Sequence, residues 1–380
     1  MNMKLNQKEI LRYSRHLLIP QVGLSGQEKL KNSSVLIVGT GGLGSPIALY
    51  LAAAGIGKIG LVDFDVVDES NLQRQVIHST SKIGIPKVES AKAFLEDLNP
   101  LVEINTFNVM LSATNIADIA KDYQIIVDGT DNFSTRYLLN DYCVFTKKPY
   151  VYGSIFRFEG QVSVFDAQSG PCYRCIFPSP PPPGVVPTCG EGGVFGVLPG
   201  TIGTIQATEV IKLVLDIGEK SIGKLFLFDG LDMSLQSIQL RKNPKCKVCG
   251  EFPEITTLED TAFFCDAHSL EESYQPEWEW SVHDLKTAID QGKNLRLIDV
   301  RDPVEREVVV IPQSENIPYE QVSNELIQDD GIPVVFYCRN GVRSARSARK
   351  LRNAGFDNVF NLKGGTNAWA REIDQEANLY

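Results

Sequence analysis

No run of about 18 consecutive apolar residues occurs in this 380-residue chain, so the sequence offers no candidate membrane helix. Residues Met1 to Leu30 are polar and periodic and lack the apolar stretch of a secretory leader. Positive charge is also in deficit. Against 47 Asp and Glu stand 37 Lys and Arg, a net charge of −10, so no whole-chain field would draw nucleic acid or an anionic membrane. No internal repeat is evident. These absences make the cytoplasm the expected location, a reducing compartment in which the eight cysteines serve as ligands or nucleophiles rather than as disulfides. The chain is long for a single core, so two domains are expected.

Strand and helix signals alternate over roughly residues 33 to 165. Val35-Leu36-Ile37-Val38 reads as a buried strand, Gly39-Thr40-Gly41-Gly42-Leu43-Gly44 as a turn, and Ser45 to Ala54 as an apolar helix. A second strand, Ile59 to Val62, ends at Asp63; a third, Gln124 to Asp128, leads into Gly129-Thr130-Asp131-Asn132. Such alternation predicts an α/β fold with a mostly parallel, Rossmann-like sheet and helices on both faces. Its ligand crevice lies beyond the strand C-termini, where Gly39, Asp63 and Asp131 all fall. The glycines let backbone approach a phosphate, the helix N-terminus faces its charge, and the acid takes ribose hydroxyls. That fingerprint serves NAD and ATP alike. Arg74, in Ser70-Asn71-Leu72-Gln73-Arg74-Gln75, and Lys87 favour ATP, because a triphosphate carries more charge than fixed backbone dipoles neutralise. Taken singly, both could be solvated surface charges. Asp131 has two readings: a Mg²⁺ ligand beside phosphates, or an Asx turn or helix cap.

Cys172-Tyr173-Arg174-Cys175 and Cys246-Lys247-Val248-Cys249 are two C-x-x-C knuckles about seventy residues apart. Four thiolates suit a closed, structural Zn²⁺ site; the setting of the second pair resembles a zinc knuckle more than a redox turn. From Pro178 to Gly200 the chain is rich in proline and glycine and predicts a long loop, with Cys189 inside it. Helix pattern resumes over Gly203 to Leu215, followed by strands over Lys224 to Phe228 and Ser234 to Leu240. Residues 251–276 are acidic, weakly periodic and read as a linker between a domain at 1–250 and a second α/β domain at 277–380.

In the second domain the strand Val334 to Tyr337 runs into Cys338-Arg339-Asn340-Gly341-Val342-Arg343 and then a helix from Ser344. A cysteine at a helix N-terminus among arginines is placed to favour thiolate, whose pKa in such settings falls from ~8.5 to roughly 3.5–7.5. The other reading is a core cysteine. Cys143 and Cys265 have no evident task.

Residues 5 to about 250 resemble the MoeB/ThiF family of ubiquitin-activating-type adenylyltransferases. The likeness rests on Arg12-Tyr13-Ser14-Arg15-His16, the glycine turn, Asp63-Phe64-Asp65, Ser70 to Gln75, Lys87, Thr130-Asp131-Asn132 and both knuckles. It implies nucleotide contacts at Gly42, Asp63, Ser70, Asn71, Arg74, Lys87, Asp131 and Asn132. Asp131 would be the Mg²⁺-linked catalytic acid, and Arg15 would reach into the other protomer of a homodimer. The implied substrate is the C-terminal Gly-Gly of a small ubiquitin-like sulfur carrier, MoaD- or ThiS-like, which ATP converts to an acyl-adenylate. In relatives fused to a sulfurtransferase, the cysteine matching Cys189 is associated with covalent capture of that terminus; the alternative is an inert loop cysteine.

Residues 278–380 resemble a single rhodanese domain through Leu297 to Arg301, the Cys338 loop and Lys363-Gly364-Gly365-x-x-x-Trp369. The implied role of Cys338 is to carry a persulfide cradled by Arg339, Asn340, Gly341, Val342 and Arg343. An upstream sulfur donor would load it. One departure is visible: Val309-Val310 stands where many rhodaneses have Gly-His before Ile-Pro. The rival functions are an NAD-dependent oxidoreductase with a sulfurtransferase tail and a non-catalytic scaffold for carrier proteins. The first leaves Arg74, Lys87 and the knuckles without a common purpose, and the second has no use for a Mg²⁺ ligand.

Overall fold

The computed structural model describes residues 3–181, 193–260, 277–326 and 331–379. The chain divides into two compact units, Met1–Phe264 and Cys265–Tyr380. Among the described residues no helix is long and apolar enough to cross a membrane.

The first unit is built on an eight-stranded sheet: β1 (Ser34–Val38), β2 (Lys58–Val62), β3 (Glu103–Phe107), β4 (Ile125–Asp128), β5 (Tyr150–Phe156), β6 (Glu159–Phe165), β7 (Lys224–Asp229) and β8 (Ser234–Gln239). Their order is β3-β2-β1-β4-β5-β6-β7-β8. The first five run parallel. β1 and β4 are almost uninterrupted apolar runs because both faces of a parallel strand are covered. On one face the helices Gly44–Ala54, Lys87–Leu98 and Leu198–Leu215 close a core around Ile37, Ile47, Leu51 and Ile59. On the other, the helix Phe133–Thr146 packs with Tyr137, Tyr150 and Tyr173. From β1 the chain winds outward to β2 and β3 and then returns to the other side at β4. The C-terminal ends of β1 and β4 therefore flank the switch point where such sheets open a crevice.

The alternation expected up to residue 165 ends sooner. β5 and β6 form an antiparallel hairpin through Arg157, which adopts φ 52, and β7 and β8 continue antiparallel. The helix expected from Gly203 starts at Leu198, with Pro199 in its first turn, where a missing N–H costs no intrahelical bond. The acidic stretch Glu251 to Asp260 is held on the first unit: Glu254 and Ile255 N–H donate to the Lys247 carbonyl, and Ala113 N–H donates to Asp260 at 2.7 Å.

The second unit carries five parallel strands, β9 (Glu279–Trp280), β10 (Arg296–Asp299), β11 (Glu315–Asn316), β12 (Val334–Tyr337) and β13 (Val359–Leu362), in the order β11-β10-β12-β13-β9. Helices Val342–Asn353 and Gly365–Glu372 follow β12 and β13. The tightest joint is at Gly365, where a Cβ would come within 2.1 Å of the Cys338 carbonyl oxygen; Thr366 N–H donates to that oxygen at 2.9 Å.

Candidate nucleotide site, cysteine cluster and thiol loop

Six of the sequence-predicted residues line one cavity at the C-terminal ends of β1, β2 and β4: Gly42, Asp63, Arg74, Lys87, Asp131 and Asn132. The turn that carries Gly42 is forced close to β4. Gly39 has φ 88 and lies against Gly129, and a Cβ on Gly44 would meet the Gly39 carbonyl at 1.9 Å. Asp63 is fixed by accepting from Thr40 N–H at 2.7 Å, from the Thr40 hydroxyl at 3.0 Å and from Asp65 N–H at 3.0 Å. Lys87, almost buried, pairs with Asp65 at 2.8 Å. Arg74 reaches back to the Ser70 carbonyl at 3.2 Å.

Within Thr130-Asp131-Asn132 the helix cap falls on Asn132 and not on Asp131. Asn132 is the helix cap, its Oδ1 accepting from Thr135 N–H at 2.9 Å. Asp131 is exposed on the cavity and its carboxylate makes no hydrogen bond among the described residues, the chemistry a hard cation beside phosphates requires. Ser70 and Asn71 do not line the cavity. They belong to a short turn, Glu69–Asn71, in which Ser70 donates to Asp68 and Asn71 donates to the Ser70 hydroxyl at 3.2 Å. Arg15 is exposed on the helical turn Ser14–Leu17 and lines no part of its own chain's cavity.

Sequence reasoning passed over several residues here. Asp128, fully buried, accepts from Thr130 N–H at 2.8 Å, the Thr130 hydroxyl at 2.7 Å and the Tyr150 hydroxyl at 2.6 Å. Burial pushes its carboxyl above the usual range; Arg136, Tyr150 and Thr130 pull the other way. Its signal was an acid closing the apolar run of β4, overshadowed by Asp131 three residues on. Arg136 lines the cavity, stacked between Phe133 and Tyr152. His78 sits beneath the glycine turn. Its Nε2 donates to the Thr40 carbonyl at 3.0 Å, which leaves Nδ1 to accept from the Ser90 hydroxyl. Burial lowers its pKa, and Lys87 adds to that; the Thr40 bond and Asp63 oppose it.

Cys172, Cys175, Cys246 and Cys249 converge, with all four sulfurs within 4.8 Å of one another. Sγ–Sγ separations of 3.9, 3.6 and 3.4 Å join Cys172 to Cys175, Cys172 to Cys246, and Cys175 to Cys249. Tetrahedral Zn²⁺ with bonds of about 2.3 Å needs sulfurs about 3.8 Å apart, so the cluster fits that ion with no position left for substrate. Beside it, Arg174 grips Asp141 through two bonds of 2.7 Å. Cys143 is buried in the helix Phe133–Thr146, where burial raises its thiol pKa, and it packs. Cys189 and Cys265 lie outside the described residues.

In the second unit Cys338 closes β12 and is fully buried. Gly341 N–H donates to its sulfur at 3.2 Å and the Ser344 hydroxyl at 3.5 Å, polar partners that a packing cysteine does not need. Gly341, at φ 90, turns the loop into the helix that begins at Val342. Asn340 is exposed, and the Arg339 carbonyl accepts from Asn367 N–H at 2.9 Å. Arg343 departs from a simple source of positive charge: Glu305 binds its guanidinium through bonds of 2.8 and 2.7 Å. Asp299 and Arg301 form a wholly buried pair at 2.7 Å, and Arg301 also donates to the Val309 carbonyl. The Val309-Val310 departure thus leaves the backbone contact in place.

Residues 13–248 match the ThiF family, and residues 281–372 match the Rhodanese-like domain. The chain belongs to the ThiF family. It is 45% identical over 386 residues to a probable adenylyltransferase/sulfurtransferase, MoeZ, of Mycobacterium tuberculosis, covering 99% of this chain and 96% of that one. Against the adenylyltransferase and sulfurtransferase MOCS3 of Culex quinquefasciatus it is 42% identical over 399 residues, covering 99% and 91%. Among solved structures, MccB of E. coli with ATP superposes with a TM-score of 0.56 at 26% identity, covering 63% of this chain and 74% of that one. This ThiF-family chain is thus an adenylyltransferase and sulfurtransferase, with a ThiF domain followed by a rhodanese domain.

Proposed function

We propose that the protein uses ATP to activate the C-terminal Gly-Gly carboxylate of a ubiquitin-like, MoaD- or ThiS-like sulfur carrier, then turns it into a thiocarboxylate with sulfur from Cys338, serving molybdopterin or thiamine biosynthesis. A carboxylate resists nucleophiles, and joining it to AMP with loss of pyrophosphate supplies a leaving group. The observation that carries the reading is the single cavity shared by Gly42, Asp63, Arg74, Lys87, Asp131 and Asn132. In it Asp63 takes the ribose, the glycine turn receives the phosphates, and Arg74 and Lys87 neutralise charge as it develops. Asp131 would hold Mg²⁺, which would screen the charge of the phosphates. Ser70 and Asn71, which do not line the cavity, bear on the nucleotide through the turn that supports Arg74. Arg15 serves the partner's site in a homodimer.

The four-cysteine cluster holds Zn²⁺ structurally, joining two segments of the domain at 1–250. Residues 251–276, of which Glu251 to Asp260 is held on the first domain, lead to the rhodanese domain at 277–380, whose loop Arg339 to Arg343 cradles the persulfide that an upstream donor loads onto Cys338. Sharing one chain raises the local concentration of that persulfide near the adenylate, with Cys189 acting between the two steps. Two substitutions separate the halves. Asp131→Ala should reduce carrier-dependent AMP formation at least about 100-fold, while Cys338→Ser should abolish sulfur transfer from thiosulfate and spare adenylation. Undiminished adenylation in the first variant, or sulfur transfer in the second, contradicts the assignment.

A further inference from the structure

We propose that Ser344 is a catalytic residue of sulfur transfer, donating its hydroxyl proton in a hydrogen bond to the Cys338 sulfur and stabilising that sulfur as the leaving thiolate. The inference rests on Cys338 being the sulfur-carrying thiol. Ser344 is fully buried, and its Oγ lies 3.5 Å from Cys338 Sγ. A serine one turn into a helix ordinarily bonds a carbonyl of the preceding turn, as Ser347 does with the Arg343 carbonyl at 3.3 Å. Ser344 instead faces the sulfur together with Gly341 N–H, at 3.2 Å. Two donors of different kinds meet on one atom in a place water does not reach, so neither is replaced by solvent when lost.

The chemistry gives that pair of donors a task. In loading, the Cys338 thiolate attacks the outer sulfur of thiosulfate; the Sγ–S bond forms, the S–S bond of thiosulfate breaks, and its electron pair leaves on sulfite. In discharge to cyanide, the cyanide carbon attacks the outer sulfur, and thiocyanate departs as the Sγ–S bond breaks. The electron pair returns to Sγ, where negative charge appears and both hydrogen bonds strengthen. Ser344 keeps its proton throughout. Among the described residues, charged groups at the loop include Arg339, Arg343 with its partner Glu305, Arg346 one turn on and Lys363 beside Gly364, which lies against Gly341; removing a hydroxyl alters none of them.

The full-length protein, loaded with thiosulfate, is discharged with cyanide in single turnover. A charged hydrogen bond contributes about 1.5–3 kcal/mol, so Ser344→Ala should slow discharge roughly 10- to 100-fold. It should also displace the pH profile of Cys338 alkylation by iodoacetamide to higher pH, leaving the rate at strongly alkaline pH unchanged. Alanine suits a helix, so the fold should persist; Ser344→Gly, which also lacks the hydroxyl, should discharge as slowly. Ser347→Ala, equally buried but aimed at a carbonyl, should discharge at the wild-type rate. Wild-type discharge and an unmoved alkylation profile in Ser344→Ala overturn the proposal, as does equal slowing in Ser347→Ala. Sulfur transfer surviving Cys338→Ser would instead overturn the reading of Cys338 beneath it.

Discussion

At the scale of single residues, the cavity is organised by pairs that hold charge ready. Lys87 is almost buried and keeps its ammonium against Asp65, so its positive charge is paired and positioned on the cavity wall. Lys87→Ala should lower kcat/KM for ATP about 10- to 100-fold, as steady-state AMP formation would measure; an unchanged value would place the lysine outside the nucleotide's reach. His78 gives a pH dependence of stability. Its folded pKa is depressed, so its contribution is present above the ordinary value of 6.5 and is lost as pH falls through the lower folded value. Chemical denaturation should therefore show stability declining below about pH 6.5, with a smaller decline in His78→Gln. Legibility at this scale was uneven. The acidic and basic members of the cavity announced themselves by residue type after strand ends. Which of Asp131 and Asn132 caps the helix did not, because either can and only the observed Thr135 bond decides.

At the scale of elements, the parts with a strong local signal were readable. The apolar runs of β1 and β4 and the glycine turn between β1 and its helix needed no long-range information. The β5–β6 hairpin was harder, since Arg157 stands at positive φ without being glycine, so the usual turn signature is missing. The start of the helix at Leu198 was masked by Pro199 and Gly200, residues that mark loops yet are tolerated in a first turn. The cysteine knuckles were legible as a spacing, but their convergence required the fold to bring Cys172 and Cys175 to Cys246 and Cys249. Because that cluster ties the segment after β6 to the segment after β8, removing the metal should loosen both. Extended chelation should release about one Zn²⁺ per chain and lower Tm by on the order of 10 °C. Cys246→Ser should do the same, and an unaltered Tm would show that the thiols do not staple the fold.

At the scale of the whole molecule, each of two compact α/β units brings its candidate site residues to the C-terminal ends of parallel strands, where such sheets place their ligands. The two-domain plan was visible as a change in texture, but the acidic stretch from Glu251 to Asp260 read as linker because its ties are backbone bonds and one cap-like carboxylate, which composition does not reveal. In the proposed function the units act in sequence, activation of a terminus followed by delivery of sulfur. The most direct test of that claim is ATP–pyrophosphate exchange with a small carrier ending in Gly-Gly, compared with the same carrier lacking its last glycine. Exchange that needs the intact terminus and fails in Asp131→Ala is the predicted result. Exchange indifferent to the carrier's terminus, or absent with every diglycine carrier tried, would contradict it.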